Sequence, residues 1–327
     1  MKKRVVIDTD SGVDDALALL LALLSPELQV EAISTVSGNV PLDQATINAA
    51  LILSLLDFKP PLILARGAAE PLEKGLITAQ SIHGWDGLGE LNRFKNSDGS
   101  SRYLYPQLPQ DLPDATEVLL DLLKRYPDEL ALVTLGPLTN LAEALRADKK
   151  RVKRLREVVI MGGAITVCGN IRPAAEFNIF VDPHAAQRVF ESGLPIKLVP
   201  LDVTERIRLG PMEIENLAQE MDEQLGRFLS DATSKAMEYM KQMRGVEIIF
   251  LHDPLAVGVA IDPSMVETTL LHVDVETHEG ITQGMTLADL RAIRDDLKQP
   301  GNLHVALEVD TKLFLAFFKE RLCPRSL

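Results

Sequence analysis

Cysteine is scarce. The chain has 2, Cys168 and Cys323. They lie far apart and form neither a metal-type pair nor a disulfide framework, which points to a reducing compartment. Positive charge is in deficit: 34 Lys and Arg stand against 47 Asp and Glu, a formal charge of −13. That balance argues against a nucleic-acid or anionic-membrane surface, though it excludes little among cytosolic enzymes. Long apolar runs are missing too. Each apolar stretch meets a charge or a proline before it is long enough to span a bilayer. The run Val5-Val6-Ile7 ends at Asp8, too early for a signal-peptide core. A soluble cytoplasmic protein is expected. No repeat, low-complexity tract or linker divides the sequence, so residues 1–327 are expected to form one domain.

What is present is a chain of 327 residues that is 46% hydrophobic, ample for a large core. Short β-branched runs at 4–8, 30–36, 62–65, 130–134, 158–161 and 196–200 alternate with helical patterns near 13–24, 41–56, 114–126, 137–147 and 183–192. Asp114 suits a helix N-cap, and Pro41 and Pro137 suit a first helical turn. This alternation predicts an α/β fold with an open, mainly parallel central sheet flanked by helices. Residues 211–250 read as helical and rich in Met, Glu and Gln, and are expected to form a small lid. After Thr269 the chain turns β-rich, and it closes with a helix near 311–321. The long segments 66–112 and 162–181 break the rhythm, and long loops in compact α/β proteins are usually functional or disordered. A functional role is expected here.

Residues 8–15 read DTDSGVDD, with four aspartates behind an apolar strand. In open α/β sheets ligands bind outside the carboxyl ends of strands. Asp8 and Asp10 are two apart and share a face if extended. Gly12 permits a turn, and Asp14 and Asp15 fall in the first turn of the next helix, where the macrodipole favours negative charge. Capping explains one or two aspartates but not four, because close carboxylates repel. A bound cation removes the conflict, and oxygen donors without a His or Cys set indicate a hard ion, Ca2+ or Mg2+.

Other segments add candidates. LHDPLAVGVA places His252 and Asp253 in an apolar segment. A buried Asp needs a partner or a metal, and His252 is a candidate proton donor. Helix capping by Asp253 ahead of Pro254 is compatible with both roles. GNIRPAAEFNIFVDP offers Asn170, Glu176 and Asn178, amides and a carboxylate suited to a hydroxyl-rich ligand; bonding to loop backbone is the plainer alternative. Asn39 in SGNV and Thr134 in VTLGPLTN sit at strand ends, where turn chemistry competes with a ligand role. The Thr134 carbonyl is a candidate for the ion. His83 and Trp85, in HGWDGLGE, are candidates to face a ring, with a hydrophobic anchor as the other reading of Trp85.

In order along the chain, these blocks resemble the inosine–uridine type nucleoside hydrolases. The match runs from Asp8 to about Asp253 and more loosely through GMTLADLR and NLHVALEVD. The family's first signature reads DTDPGxDDA, and Ser11 here replaces the proline. SGNV, HGWDGLG, LGPLTNLA, MGGA, AAEFNI and HDP resemble the family's other blocks. The resemblance implies a mainly parallel sheet with the site at its carboxyl edge, and hydrolysis of the N-glycosidic bond of a ribonucleoside to base and ribose. It implies one Ca2+ held by Asp10, Asp15, Asp253 and the main-chain oxygen of Thr134. It places Asp14, Asn39, Asn170, Glu176 and Asn178 on the ribose hydroxyls, Met161 by the sugar, His252 by the leaving base, and His83 and Phe177 among the substrate-binding residues. Asp10 would act as general base on a water activated by the ion, and His252 as acid for the leaving base. A homodimer or homotetramer is implied. A haloacid-dehalogenase-like phosphatase, which also begins with a strand and a DxD pair, and a silent nucleoside- or Ca2+-binding module are the competing readings. Tyr239, Met240 and Arg244 are the lid candidates for contact with the base.

Overall fold

The computed structural model describes residues 2–56, 62–291, 294 and 297–323. In chain order the strands are β1 (Lys3–Thr9), β2 (Leu28–Thr35), β3 (Ile63–Arg66), β4 (Leu130–Thr134), β5 (Glu157–Met161), β6 (Ile196–Val199), β7 (Arg208–Leu209), β8 (Ile249–Phe250), β9 (Val266–Leu271), β10 (Val273–Val275), β11 (Thr286–Ala288) and β12 (Leu303–Val309). The helices are α1 (Val13–Leu24), α2 (Leu42–Ser54), α3 (Gln80–His83), α4 (Ala115–Arg125), α5 (Thr139–Val152), α6 (Phe177–Val181), α7 (Pro183–Phe190), α8 (Leu201–Thr204), α9 (Pro211–Glu220), α10 (Glu223–Arg244), α11 (His252–Ile261) and α12 (Thr311–Leu322).

Eight strands form one sheet in the order β3-β2-β1-β4-β5-β6-β12-β9. All neighbours run parallel except β9, which is antiparallel to β12 at the edge. The alternation of side chains divides the core. Val5, Ile7, Val133, Val159 and Met161 pack with α1, α11 and α12 on one face. Val6, Leu132, Val158 and Ile160 pack with α4, α5 and α7 on the other. Burial on both faces explains why these strands read as continuous apolar runs.

The sheet grows from β1 toward β3 in one direction and from β4 toward β6 in the other, so β1 and β4 flank a topological switch point, where open α/β sheets form ligand crevices. Asp8 pairs with Thr134 across it. Helix α1 begins there, its Gly12 N–H donating 2.8 Å to Asp15 Oδ2. Helix α11 packs beside α1 and brings Asp253 to the same edge. Among the described residues no helix is long and apolar enough to cross a membrane.

Candidate active site

The carboxylates of Asp14, Asp15 and Asp253 converge, each offering an oxygen within 4.8 Å of the others. Asp10 lies against them and is fully buried. Its Oδ2 accepts the Asn39 backbone N–H at 2.6 Å, and its Oδ1 accepts Asn39 Nδ2 at 3.1 Å. Asn39 Nδ2 also reaches Asp15 Oδ2 at 3.0 Å, while Thr9 Oγ1 holds Asp15 Oδ1. Burial, and then repulsion from Asp15, raise Asp10 well above the usual carboxylate range. Burial, and then Asp14, Asp15 and Asp10, do the same to Asp253. Asp14 is pushed up to about 7 by burial and by Asp15. Four crowded carboxylates with few donors are short of positive charge, and an oxygen-only set fits a hard divalent cation. The residues present therefore fit the metal that the family resemblance implies.

Asp8 sits apart from this group. Its Oδ1 accepts from Asn140 Nδ2 at 2.7 Å and from the Ser34 hydroxyl, and burial pushes its pKa up to about 6. Asn140 also bonds the Thr35 carbonyl and the Ala68 N–H, so Asp8 ties β1 to its neighbours. The chain turns away from β1 at Ser11, which adopts φ 50°, a left-handed value closed to proline. Ser11 takes that turn with its N–H on Thr9 Oγ1 and its carbonyl on Asn48 Nδ2, each at 3.0 Å.

Above the acidic cluster opens a cavity of about 360 Å³. Asp14, Asn39, Met161, Asn170, Glu176 and Asn178 line its lower part. Glu176 and Asn178 come together through a helix start rather than an extended segment. Glu176 caps α6, with Oε1 accepting Asn178 N at 2.8 Å and Oε2 accepting Gly163 N at 3.0 Å. Burial still raises its pKa against those bonds. Asn178 Nδ2 is committed to the carbonyls of Leu135 and Met161, at 2.6 and 3.3 Å. Asn39 likewise spends both amide hydrogens on Asp10 and Asp15. Their Oδ1 atoms remain as acceptors. The floor is thus rich in acceptors, the complement of a ligand bearing several hydroxyl donors.

The opposite wall is apolar and aromatic: Ile82, Tyr239, Met240, Met243, Ile248 and Phe250, with His83 and His252. His83 Nδ1 accepts the Val13 N–H at 3.1 Å, so its proton resides on Nε2. Burial holds its pKa down at about 4. His252 Nδ1 lies 2.8 Å from Thr204 Oγ1. Burial, then His83 and Arg244, lower it to about 3. At neutral pH His252 is an uncharged imidazole before any ligand enters, which bears on the expectation that it delivers a proton.

The structure thus gathers the expected residues at one edge. Asp14, Asn39, His83, Met161, Asn170, Glu176, Phe177, Asn178, His252 and Asp253 all line the cavity, with Asp10 and Asp15 behind them. Thr134 ends β4 at the switch point, fully buried, with Oγ1 unpartnered. Tyr239, Met240 and Arg244 of α10 reach the cavity as expected, whereas Trp85 is 53% exposed and outside it. Thr9, Thr204, Glu205 and Phe250 belong to the site but carry no sequence signal of their own. Thr9 could have been suspected from its place between two aspartates.

Such an edge, acidic beneath and apolar above, suits a ligand with hydroxyls at one end and a ring at the other. The family model described as inosine-uridine preferring nucleoside hydrolase matches residues 5–316. The chain is 36% identical over 319 residues to the pyrimidine-specific ribonucleoside hydrolase RihA of Klebsiella pneumoniae, with 97% of each chain covered. Among solved structures, the plant nucleoside hydrolase PpNRh1 superposes with a TM-score of 0.87 at 34% identity, covering 99% of this chain and 100% of the other. A purine-preferring ribonucleoside hydrolase from Gardnerella vaginalis gives 0.85 at 33%, covering 98% of both. This chain belongs to the inosine-uridine preferring nucleoside hydrolase family, and its activity is that of a nucleoside hydrolase. The phosphatase and silent-binder readings give way to it.

Proposed function

We propose that the protein cleaves the N-glycosidic bond of ribonucleosides, pyrimidine nucleosides among them, with water as nucleophile and Ca2+ as its ion. The single observation that carries this reading is the cavity itself, in which an acidic, acceptor-rich floor faces an apolar wall bearing two neutral imidazoles. A ribose and a base present the matching surfaces. The pyrimidine preference rests on the RihA relative, and a homodimer or homotetramer is the assembly that goes with the reading. Asp10, Asp15, Asp253 and the Thr134 carbonyl would hold the ion, with Asp14 between ion and sugar. Bound there, Ca2+ makes a neighbouring water easier to deprotonate.

The chain's own residues perform the remaining steps. Asp10, oriented by the Asn39 backbone N–H and side-chain amide, takes a proton from the attacking water. Water adds at the anomeric carbon opposite the base, through an oxocarbenium-like transition state. Asp14, Glu176 and the Oδ1 atoms of Asn39 and Asn178 hold the hydroxyls and stabilise the developing positive charge. The departing base takes one proton from solvent, and Asp10 later returns to solvent the proton it took from water, so the step balances. Neutral His252, fixed by Thr204, donates Nε2–H to that edge. Incubation with inosine, adenosine, uridine, cytidine and 5-methyluridine tests the reading. Free base and reducing sugar should appear in equal amounts, uridine leading. Failure to release either from all five, with Ca2+ supplied, overturns it.

A further inference from the structure

The wall that faces the base is closed by one ion pair. Arg244 is the last residue of α10, which Gly245 terminates in a left-handed turn. Both Nη atoms of Arg244 lie 3.3 Å from Glu205 Oε1, and Glu205 is the C-cap of α8. Both residues line the cavity. The Arg244 guanidinium also lies over the Phe250 ring, 5.6 Å from its centroid. Phe250 in turn packs against His252, with centroids 5.3 Å apart. The residue before Glu205, Thr204, fixes His252. Two adjacent residues at the end of α8 therefore hold two groups of the base wall: Thr204 sets the imidazole, and Glu205 sets the end of α10.

We propose that Arg244–Glu205 is a latch that fixes the end of α10 over the base side of the cavity and thereby favours the smaller pyrimidine ring over the purine. The inference rests on the nucleoside hydrolase reading above. Arg244 and Glu205 are positioning residues here. Their side chains are 47% and 29% exposed, so the pair is weak and screened by salt. A weak latch at the rim can yield during substrate entry. With it open, the final turn of α10 keeps the exposed Lys241–Glu247 pair and the Arg244 guanidinium over Phe250, while Arg102 and Tyr103 still hold Asp231 further back along the helix, so the end of α10 shifts more easily than its middle. The added room benefits a bicyclic base more than a monocyclic one. The wall's discrimination is then tuned by a contact that touches neither the ribose nor the ion, in keeping with both pyrimidine-specific and purine-preferring relatives sharing this fold.

The test compares kcat/KM for inosine and uridine in the Ca2+-loaded full chain. Glu205→Gln should raise the inosine-to-uridine ratio about fivefold, the scale of one partly exposed ion pair. About 0.5 M NaCl should raise the ratio of the unsubstituted enzyme toward that of the variant and leave the variant's ratio unmoved. The charge-swapped double variant, Glu205→Arg with Arg244→Glu, should return the ratio toward the original value. A ratio unchanged or lowered in Glu205→Gln, or a salt response that persists in it, overturns the latch. If Glu205→Gln does not fold, Arg244→Gln and the salt response of the unsubstituted enzyme decide by the same criteria. Absence of turnover with every nucleoside in the unsubstituted enzyme overturns the functional reading instead, so the two failures are distinct.

Discussion

On the proposed reading, in which the aspartate cluster holds Ca2+, removing the ion should destabilise the protein strongly at alkaline pH and weakly at acid pH. Asp10, Asp14 and Asp253 all have pKa values raised above the usual 3.8 in the folded, metal-free chain, Asp14 to about 7. Between those values the folded state holds protons that the unfolded chain has released. Stability of the metal-free protein therefore falls as pH rises through this window. For Asp14 alone, about 3 pKa units at about 1.4 kcal/mol each gives an upper bound of about 4 kcal/mol. Water in the open cavity screens part of it. Ca2+ replaces the protons, so its stabilisation should be largest where protons are scarce. The buried histidines work in the opposite sense, since their lowered values make the fold lose stability as pH falls below about 6.5. His83 also feels Asp15, so an ion on Asp15 would lower it further and stabilise the loaded protein less at acid pH, in the same direction as the carboxylates. A chain of this size shifts by roughly 1.5 °C per kcal/mol. Melting with Ca2+ and with a chelator should differ by about 5 °C near pH 8 and by about 1 °C near pH 5. Equal shifts at both pH values, or none at either, would refute the reasoning.

Two substitutions extend this. Asp10→Asn should lower kcat by roughly 10²–10⁴-fold while the far-UV spectrum and melting point hold or improve, because repulsion in the cluster is relieved; near-normal turnover removes Asp10 as the base. Gly38→Ala should cost about 1–3 kcal/mol, since a Cβ there would stand 2.1 Å from Asp10 Oδ2 and 2.8 Å from Pro137 Cδ. Urea titration would show it, and unaltered stability would mean that the packing around Asp10 is looser than described.

Much of this arrangement is legible in the sequence because its signals are local. The six parallel strands β1–β6 stand where the apolar runs are, and Asp114 caps α4 through Glu117 N at 3.0 Å. The strand order is not legible, since the β1–β4 and β6–β12 pairings join segments more than a hundred residues apart. Side-chain roles at the site divide the same way. DTDSGVDD announces a cation by charge density alone. That the amide hydrogens of Asn39 and Asn178 are already committed depends on where Asp15 and Leu135 come to lie. Asp8 and Asp10 share a face only while the strand continues, but β1 ends at Thr9; Asp8 stays with Ser34 and Asn140, and Asp10 turns to Asn39. Glu176 and Asn178 would share a face in an extended segment, but the capping bond from Asn178 N that starts α6 brings them together instead. Within HGWDGLGE the ring that turns into the cavity is His83, while Trp85 faces outward. Gly87 and Gly89, with φ of 78° and 77°, shape the turn beyond it.

The fold balances the site's charge in a way that bears on catalysis. Helices α1 and α11 both begin at the cluster, with Asp14 and Asp15 in the first turn of one and Asp253 in the first turn of the other. Each N-terminus contributes roughly half a positive charge, so two helices set about +1 against four carboxylates. Burial first, and then that deficit, make Asp10, Asp14 and Asp253 resist ionisation in the bare protein. A divalent ion would bring the total to roughly −1. In the proposed mechanism, this residual negative charge lies beneath a sugar that becomes positive only in the transition state, where an electrostatic contribution accelerates the reaction rather than merely tightening binding. A trivalent ion of similar size should therefore occupy the cluster and raise the melting point further while turnover collapses. If turnover survived with a trivalent ion bound, the residual charge would not be what the transition state uses.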